Sequence, residues 1–364
     1  MSWPRRILIF SFAAAGMLGA CACGVKGDPL PPERPLNSDA GAPRISVPPR
    51  RSRLNRSMNG KMSGKTRMMK TRAKFDGIIT ALVTPFKDGA VDMRSFKRLL
   101  RSQLDQGVQG FVINGTTAES PTLEWDEVER LFAAAREEAG EGFPLIVGTG
   151  SNSTAHACAM TEAAAKMGAD AVLVVVPYYN KPPQRGLKKH FSEIARRSRL
   201  PVILYNVPSR TIASLEPATA AELSREVNIV GIKDATGDMT VCERLKAECA
   251  EGFTLLSGDD GTCMEFMARG GHGVISVSSH LIGREMLEFQ RRLREGDRSV
   301  TAEYAERTGA LMKSLYIEAN PIPVKMALHW MGLLDSPELR SPLVELDSQY
   351  HKDFKACLER LGKI

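Results

Sequence analysis

Eight short apolar runs recur in the central part of this 364-residue chain, and a stretch with helical periodicity follows each run. The runs begin at Gly77, Gly110, Pro144, Ala171, Pro201, Asn228, Phe253 and Gly273. Their spacing, about 20 to 35 residues, is typical of strand–helix–strand units. Eight such units predict a closed (β/α)8 TIM barrel. The alternative is an open doubly wound sheet, but no GxGxxG turn follows the first run.

Amphipathic segments lie between these runs and also after the last one. We expect helices near residues 92–106, 125–139, 154–167 and 216–225, and further helices near 302–316, 322–333 and 350–361. The predicted barrel therefore covers residues 75–297, and a helical C-terminal region covers 298–364.

The first 74 residues differ from the remainder in composition. Residues 1–23 resemble a lipoprotein signal, with two arginines, a short apolar run and a lipobox-like sequence ending at Cys21; the stretch from Cys23 resembles the start of small outer-membrane lipoproteins. Residues 24–74 are rich in proline and basic residues and are expected to be disordered. We interpret this leader as an upstream reading frame joined to a cytoplasmic enzyme, and a start at Met69 would give 296 residues. The alternative is a protein anchored to the membrane through Cys21 or Cys23.

The net charge of +7 is concentrated in that leader. Residues 1–74 hold fifteen basic and three acidic side chains, so the remainder holds 34 and 39 and has a net charge of −5. A nucleic-acid partner is therefore not expected for the barrel. Its five cysteines show neither a CxxC pair nor metal-ligand spacing, which favours a reducing compartment.

Lys233 is the most unusual strand-end residue, since it ends the sixth run, Ile229-Val230-Gly231-Ile232-Lys233. Catalytic groups of such barrels lie at the carboxyl ends of strands. Burial among aliphatic side chains disfavours an ammonium, so the free amine could act as a nucleophile. The alternative is a structural ion pair with Asp234 or Asp259.

Other strand ends carry groups suited to a small keto acid. Thr116 and Thr117 follow the second run and could bind a carboxylate, although threonines there more often cap a helix. Tyr179 and Tyr205 could transfer protons or simply pack at the rim. Arg210 could hold a second carboxylate or be a surface charge.

We expect no metal ion and no organic cofactor. Asp259 and Asp260 follow the seventh run, but no neighbouring His, Cys or third carboxylate completes a ligand set. His272 and His280 are interpreted as structural.

Seven ordered motifs resemble the dihydrodipicolinate synthase family of pyruvate-dependent class I aldolases. They are GTTAES, PYYNKP, YNVPSRT, GIKDATG, LLSGDD, GGHGVISV and EANPIPVK. The resemblance implies condensation of pyruvate with aspartate semialdehyde in lysine biosynthesis, without a cofactor, by a tetramer built as a dimer of dimers.

The resemblance also implies roles for individual residues. Lys233 would form an imine with pyruvate, and Thr116, Tyr205 and Tyr179 would relay protons, with Tyr179 reaching the neighbouring subunit's site. Thr117 would bind the pyruvate carboxylate and Arg210 that of the semialdehyde, while Gly258 and the carbonyl of Ile275 would border the pocket.

The chain departs from the family pattern at several positions. Ala118 and Ile212 stand where glycine is usual, and His280 where asparagine is frequent. Ser120, Asn152 and Tyr178 match the site that binds inhibitory lysine in bacterial members. His156 replaces its acidic residue, and Trp125 and Val128 replace its histidines, so weak or absent inhibition by lysine is expected.

Two other functions fit part of this pattern. N-acetylneuraminate lyases and keto-deoxy sugar acid aldolases share the Schiff-base lysine, but a polyol needs hydroxyl partners rather than one arginine, so Arg210 favours the semialdehyde. A non-catalytic envelope lipoprotein would have no need for a nucleophile with a proton relay.

Overall fold

Eight parallel strands close into a barrel in the computed structural model, which describes residues 75–364. The strands are β1 (Gly77–Ala81), β2 (Phe111–Ile113), β3 (Leu145–Gly148), β4 (Ala171–Val175), β5 (Val202–Asn206), β6 (Ile229–Asp234), β7 (Thr254–Ser257) and β8 (Gly273–Ser276). Strand β1 pairs with both β2 and β8, which closes the ring and confirms the predicted TIM barrel. The predictions for residues 1–74 lie outside the described residues.

A helix follows each strand and covers the outside of the barrel. These helices are α1 (Met93–Gln106), α2 (Trp125–Ala139), α3 (Thr154–Met167), α4 (Gln184–Arg197), α5 (Pro217–Leu223), α6 (Met239–Glu248), α7 (Cys263–Ala268) and α8 (Ser279–Arg294). The first three agree with the predicted spans to within one residue because their ends are encoded locally. Asp92 caps α1, Glu124 and Glu127 form a capping box at α2, and Ser153 caps α3.

The apolar residues form two layers. The larger layer lies between strands and helices, and a smaller one fills the barrel interior with side chains such as Ile79, Ile146 and Leu256. A filled interior is what an eight-stranded barrel requires, because it is a packed core rather than a pore. The polar residues at the carboxyl ends of the strands therefore lie above a closed apolar floor.

Three helices follow the last barrel helix: α9 (Val300–Leu315), α10 (Ile322–Trp330) and α11 (His351–Arg360). They confirm the predicted C-terminal helices, with shifts of one to three residues at most ends. The link between α10 and α11 returns to the barrel, where Arg340 makes two hydrogen bonds of 2.7 Å to the Glu127 carboxylate. In residues 75–364, no helix is long and apolar enough to cross a membrane.

Candidate active site

Lys233 lies near the end of β6 with only 7% of its surface exposed. Parallel pairing puts it beside Tyr205 of β5 and Leu256 of β7, and its Nζ is 4.3 Å from the centre of the Tyr205 ring. Within residues 75–364 it forms no ion pair with a carboxylate.

The two acids considered as its partners are engaged elsewhere. The Asp234 carboxylate accepts hydrogen bonds from Asn206 and Thr236, and burial raises the pKa of Asp234. The Asp259 carboxylate accepts from the backbone N–H and hydroxyl of Thr262. The structure therefore gives no support to a structural ion pair at Lys233, and its amine faces a cavity instead.

That cavity has a volume of about 200 Å³ and lies at the carboxyl ends of the strands. Six of the predicted site residues line it: Thr116, Thr117, Tyr205, Arg210, Lys233 and Gly258. They come from the ends of β2, β5, β6 and β7, which the closure of the barrel brings together. The volume suits a substrate of only a few heavy atoms, since pockets for drug-sized ligands start at about 300 Å³.

Gly258 leaves room for the lysine. A Cβ atom at this position would lie 2.7 Å from Lys233 Cε and 2.8 Å from the Cβ of Ala235. Carbon atoms in contact are normally about 3.5–4.0 Å apart. Any side chain at residue 258 would therefore displace the Lys233 stem.

Thr117 is held by a residue that the sequence did not single out. Its hydroxyl oxygen accepts a 3.0 Å hydrogen bond from Asn320 Nδ2, and the carbonyl of Asn320 accepts one of 3.0 Å from Arg210. Asn320 lines the same cavity, and its Oδ1 is buried without a hydrogen-bond partner among the described residues. Only its place in the motif EANPIPVK could have drawn attention to it.

Ile275 and Tyr179 lie apart from this cavity in the single chain. Ile275 packs in the barrel interior, and Val277 is the cavity-lining residue that follows β8. Tyr179 is 88% exposed, with a φ of 73°. Its side chain is therefore accessible on the surface of the single chain and is not among the residues that line the Lys233 cavity.

A second cavity of about 560 Å³ adjoins the first and shares Thr116, Tyr205 and Arg210 with it. Its wall is formed in part by the positions that the family resemblance associates with lysine. They are Ser120, Trp125, Val128, His156 and Tyr178.

The carboxylate of Asp260 is used within the fold. It accepts hydrogen bonds from the backbone N–H groups of Val277 and Ser278 and from the Tyr316 hydroxyl, at 2.7–2.9 Å. Burial, together with the charge of Asp260, raises the pKa of Tyr316. Tyr316 also lines the small cavity and was not singled out in the sequence.

The two histidines near β8 make hydrogen bonds to the backbone. Burial lowers the pKa of His280 to about 4, so its ring is neutral near pH 7. Nδ1 of this ring donates to the carbonyl of Val277, and Nε2 accepts from the N–H of Val83. His272 Nδ1 accepts from the N–H of Leu255.

A completely buried ion pair lies behind the Thr116–Thr117 turn. Lys325 Nζ of α10 donates to Glu119 Oε1 at 2.7 Å, and neither side chain is exposed. Burial lowers the pKa of Lys325 to about 8, although the charge of Glu119 opposes this shift.

Comparison with known proteins identifies relatives of this arrangement. Residues 74–361 match the model of the dihydrodipicolinate synthetase family. A 4-hydroxy-tetrahydrodipicolinate synthase of Bdellovibrio bacteriovorus is 49% identical over 79% of this chain and 98% of its own length. One of Persephonella marina is 43% identical over 80% and 99%.

Solved structures of similar proteins include a dihydrodipicolinate synthase of Thermotoga maritima, with a TM-score of 0.78, 40% identity, and coverage of 80% of this chain and all of that one. A monomeric dihydrodipicolinate synthase variant has the same TM-score and identity and covers 80% of this chain and 99% of that one.

Proposed function

The chain belongs to the dihydrodipicolinate synthetase family, and from this premise we propose how its residues carry out the reaction. It is a lyase that condenses pyruvate with L-aspartate 4-semialdehyde to 4-hydroxy-tetrahydrodipicolinate, in lysine and diaminopimelate biosynthesis. The observation that carries the proposal is Lys233, a buried lysine without an ion pair in the described chain, facing a small polar cavity.

Lys233 is the nucleophile in this proposal. Its amine adds to the keto carbon of pyruvate, and loss of water from the carbinolamine gives an imine. Loss of a methyl proton converts the imine to an enamine, whose carbon attacks the aldehyde carbon of the semialdehyde. The amine of the bound semialdehyde then displaces Lys233 and closes the ring.

Two hydroxyls beside Lys233 are suited to the proton transfers. Thr116 and Tyr205 line the Lys233 cavity, and the Tyr205 ring lies against the lysine amine. Tyr179 is the third member of the proposed relay. Because it is 88% exposed on its own chain, it would act in the site of a second copy.

Separate groups are proposed for the two substrate carboxylates. Thr117 binds the carboxylate of pyruvate in the cavity that it lines together with Lys233 and Gly258. Arg210 binds that of the semialdehyde, because this residue lines both cavities and a guanidinium can pair with a carboxylate through two hydrogen bonds. An Arg210→Lys variant should raise KM for the semialdehyde about tenfold or more while KM for pyruvate changes little. Equal rises in both values would assign Arg210 a general structural role.

The proposed assembly is a tetramer made of two dimers, in which Tyr179 crosses the dimer interface. Because one of the similar structures is a monomeric variant, the oligomeric state of this chain needs to be measured. Sedimentation equilibrium would give the mass, and a Tyr179→Phe variant mixed with a Lys233→Arg variant would regain activity only if sites are shared between copies.

The proposed location is the cytoplasm. Free thiols at all five cysteines of the described residues are compatible with a reducing compartment. The alternative is membrane attachment through Cys21 or Cys23, which lie outside the described residues. Cell fractionation with labelled fatty acid separates the two, because only an acylated protein would appear labelled in the membrane fraction.

Borohydride trapping tests the central proposal. Reduction in the presence of pyruvate should leave a pyruvate-sized adduct on Lys233, located by peptide mass spectrometry, and a Lys233→Arg variant should carry none. A second assay then measures turnover with pyruvate and aspartate semialdehyde, and product formation is expected. An adduct with turnover of keto-deoxy sugar acids instead would change the substrate, and the absence of any adduct would rule out the Schiff base.

A further inference from the structure

The ion pair between Glu119 and Lys325 is buried next to the cavity, at a Nζ–Oε1 distance of 2.7 Å. The desolvation free energy of two buried charges cancels a large part of their Coulombic attraction. Well-packed apolar residues therefore often stabilise a fold equally well. Stability alone therefore does not account for a charged pair here. Its directional hydrogen bonds would, however, hold two segments in one relative position.

The first of these segments is the turn that carries the site threonines. Glu119 joins the short helical turns Thr116–Ala118 and Ser120–Thr122, with a φ of 59° that non-glycine residues rarely adopt. Its N–H donates to the carbonyl of Thr116, and its own carbonyl accepts from the N–H of Thr122. The position of Glu119 thus determines the path of the backbone on both sides.

The second segment is the start of α10. Lys325 lies five residues after Asn320, and its N–H donates to the carbonyl of Pro321 at 3.0 Å. The other carboxylate oxygen of Glu119 accepts a 2.9 Å hydrogen bond from the N–H of Arg340. Both partners of the Glu119 carboxylate therefore come from the C-terminal region, more than 200 residues away in sequence.

These two segments meet again inside the cavity. There, Asn320 Nδ2 donates to the hydroxyl oxygen of Thr117 at 3.0 Å. The ion pair lies behind this contact. It links Glu119, two residues after Thr117, to Lys325, five residues after Asn320. A shift between the two segments would break the contact and reorient the Thr117 hydroxyl.

We propose that the Glu119–Lys325 ion pair is a positioning element for the keto-acid carboxylate site. It holds the Thr116–Ala118 turn against the start of α10, so that Asn320 orients the Thr117 hydroxyl towards the bound carboxylate. This inference rests on the proposed function, in which Thr117 binds the carboxylate of pyruvate.

Three variants test the inference in the full chain. Lys325→Met leaves the Glu119 charge buried and unpaired, whereas the double variant Glu119→Gln/Lys325→Met removes both charges, keeps similar volumes and leaves an acceptor for the Arg340 N–H. Arg136→Met is the control, because its 2.8 Å ion pair with Asp170 is mostly buried but lies at the amino end of β3, remote from the cavity.

The melting temperature of each variant is measured first. KM and kcat with pyruvate are then measured well below that temperature. Lys325→Met should have a lower melting temperature than the parent, and its KM for pyruvate should rise by roughly 10- to 100-fold. The double variant should recover most of the melting temperature while KM stays raised and kcat at saturating pyruvate stays within about threefold of the parent. Arg136→Met should lose stability without a change in KM.

A double variant with the KM of the parent would overturn the proposal and leave the pair a purely structural role. So would a fall in kcat with unchanged KM, or a rise in KM for Arg136→Met equal to that for Lys325→Met. Borohydride trapping at saturating pyruvate keeps this test separate from the proposed function. An adduct on Lys233 in the parent upholds the Schiff base whatever the pair does, and its absence in the parent would defeat the underlying function itself.

Discussion

Replacing Gly258 by alanine tests how closely the cavity is built around Lys233. The added Cβ would lie 2.7 Å from Lys233 Cε and 3.1 Å from its Cγ, against about 3.5–4.0 Å for carbon atoms in contact. The lysine stem must therefore move by about 1 Å. A displacement of that size at a reacting group costs roughly 100-fold in rate, equivalent to about 2.7 kcal/mol of transition-state stabilisation.

The assay is the rate of borohydride-trapped imine formation together with kcat/KM for pyruvate. Gly258→Ala should lower both by about 100-fold, while overpacking lowers the free energy of unfolding by about 1–3 kcal/mol. Gly261→Ala is the matched control in the same loop, since its new Cβ meets only Asp259 Oδ2 at an ordinary 3.6 Å. Parent-like kinetics for Gly258→Ala would refute the steric argument, and so would an equal loss in the Gly261 variant.

Three further predictions concern stability, pH and regulation. Burial lowers the pKa of His280 from 6.5 to about 4, so between these two pH values the unfolded chain binds a proton that the folded chain does not. The free energy of unfolding should therefore fall as the pH drops from 6.5 to 4, by up to about 1.4 kcal/mol per pH unit from this residue. His280→Gln should reduce this pH dependence in denaturant titrations, and an unchanged pH dependence would contradict the assignment. Ile212 is 65% exposed with a φ of 64°, so Ile212→Gly should raise the free energy of unfolding by about 1 kcal/mol, whereas a loss of stability would show that its side chain makes a needed contact. His156 in the wall of the larger cavity offers no carboxylate to an ammonium group, so L-lysine should inhibit weakly or not at all; half-inhibition below millimolar concentration would refute this.

The barrel could be predicted because its signals are local. Strands buried on both faces give mostly apolar runs, and the eight runs found from Gly77 onward contain the eight strands of the barrel. Helix ends were predicted best where a cap is encoded nearby, as at Ser153 before α3. Helix α5 is shorter than predicted, ending at Leu223, since Ser224 and Arg225 form a turn beyond it.

The site was predictable in its strand-end residues and not in the groups that hold them. Lys233 and Gly258 stand at recognisable strand ends, and catalytic barrels place their chemistry there. Asn320 reaches Thr117 across 203 residues, and Lys325 reaches Glu119 across 206. No local sequence pattern predicts such contacts, because they depend on how the C-terminal helices pack against the barrel.

The amino-acid sequence by itself thus determined the barrel, the order of its strands and the reactive groups at their carboxyl ends, since periodicity and strand ends are properties of neighbouring residues. Only the tertiary structure decided that Lys233 lacks an ion pair within the described residues, that Asn320 holds Thr117, and that a buried charge pair lies behind them. These features arise where segments distant in sequence meet, and there packing and desolvation select the partner of each polar group.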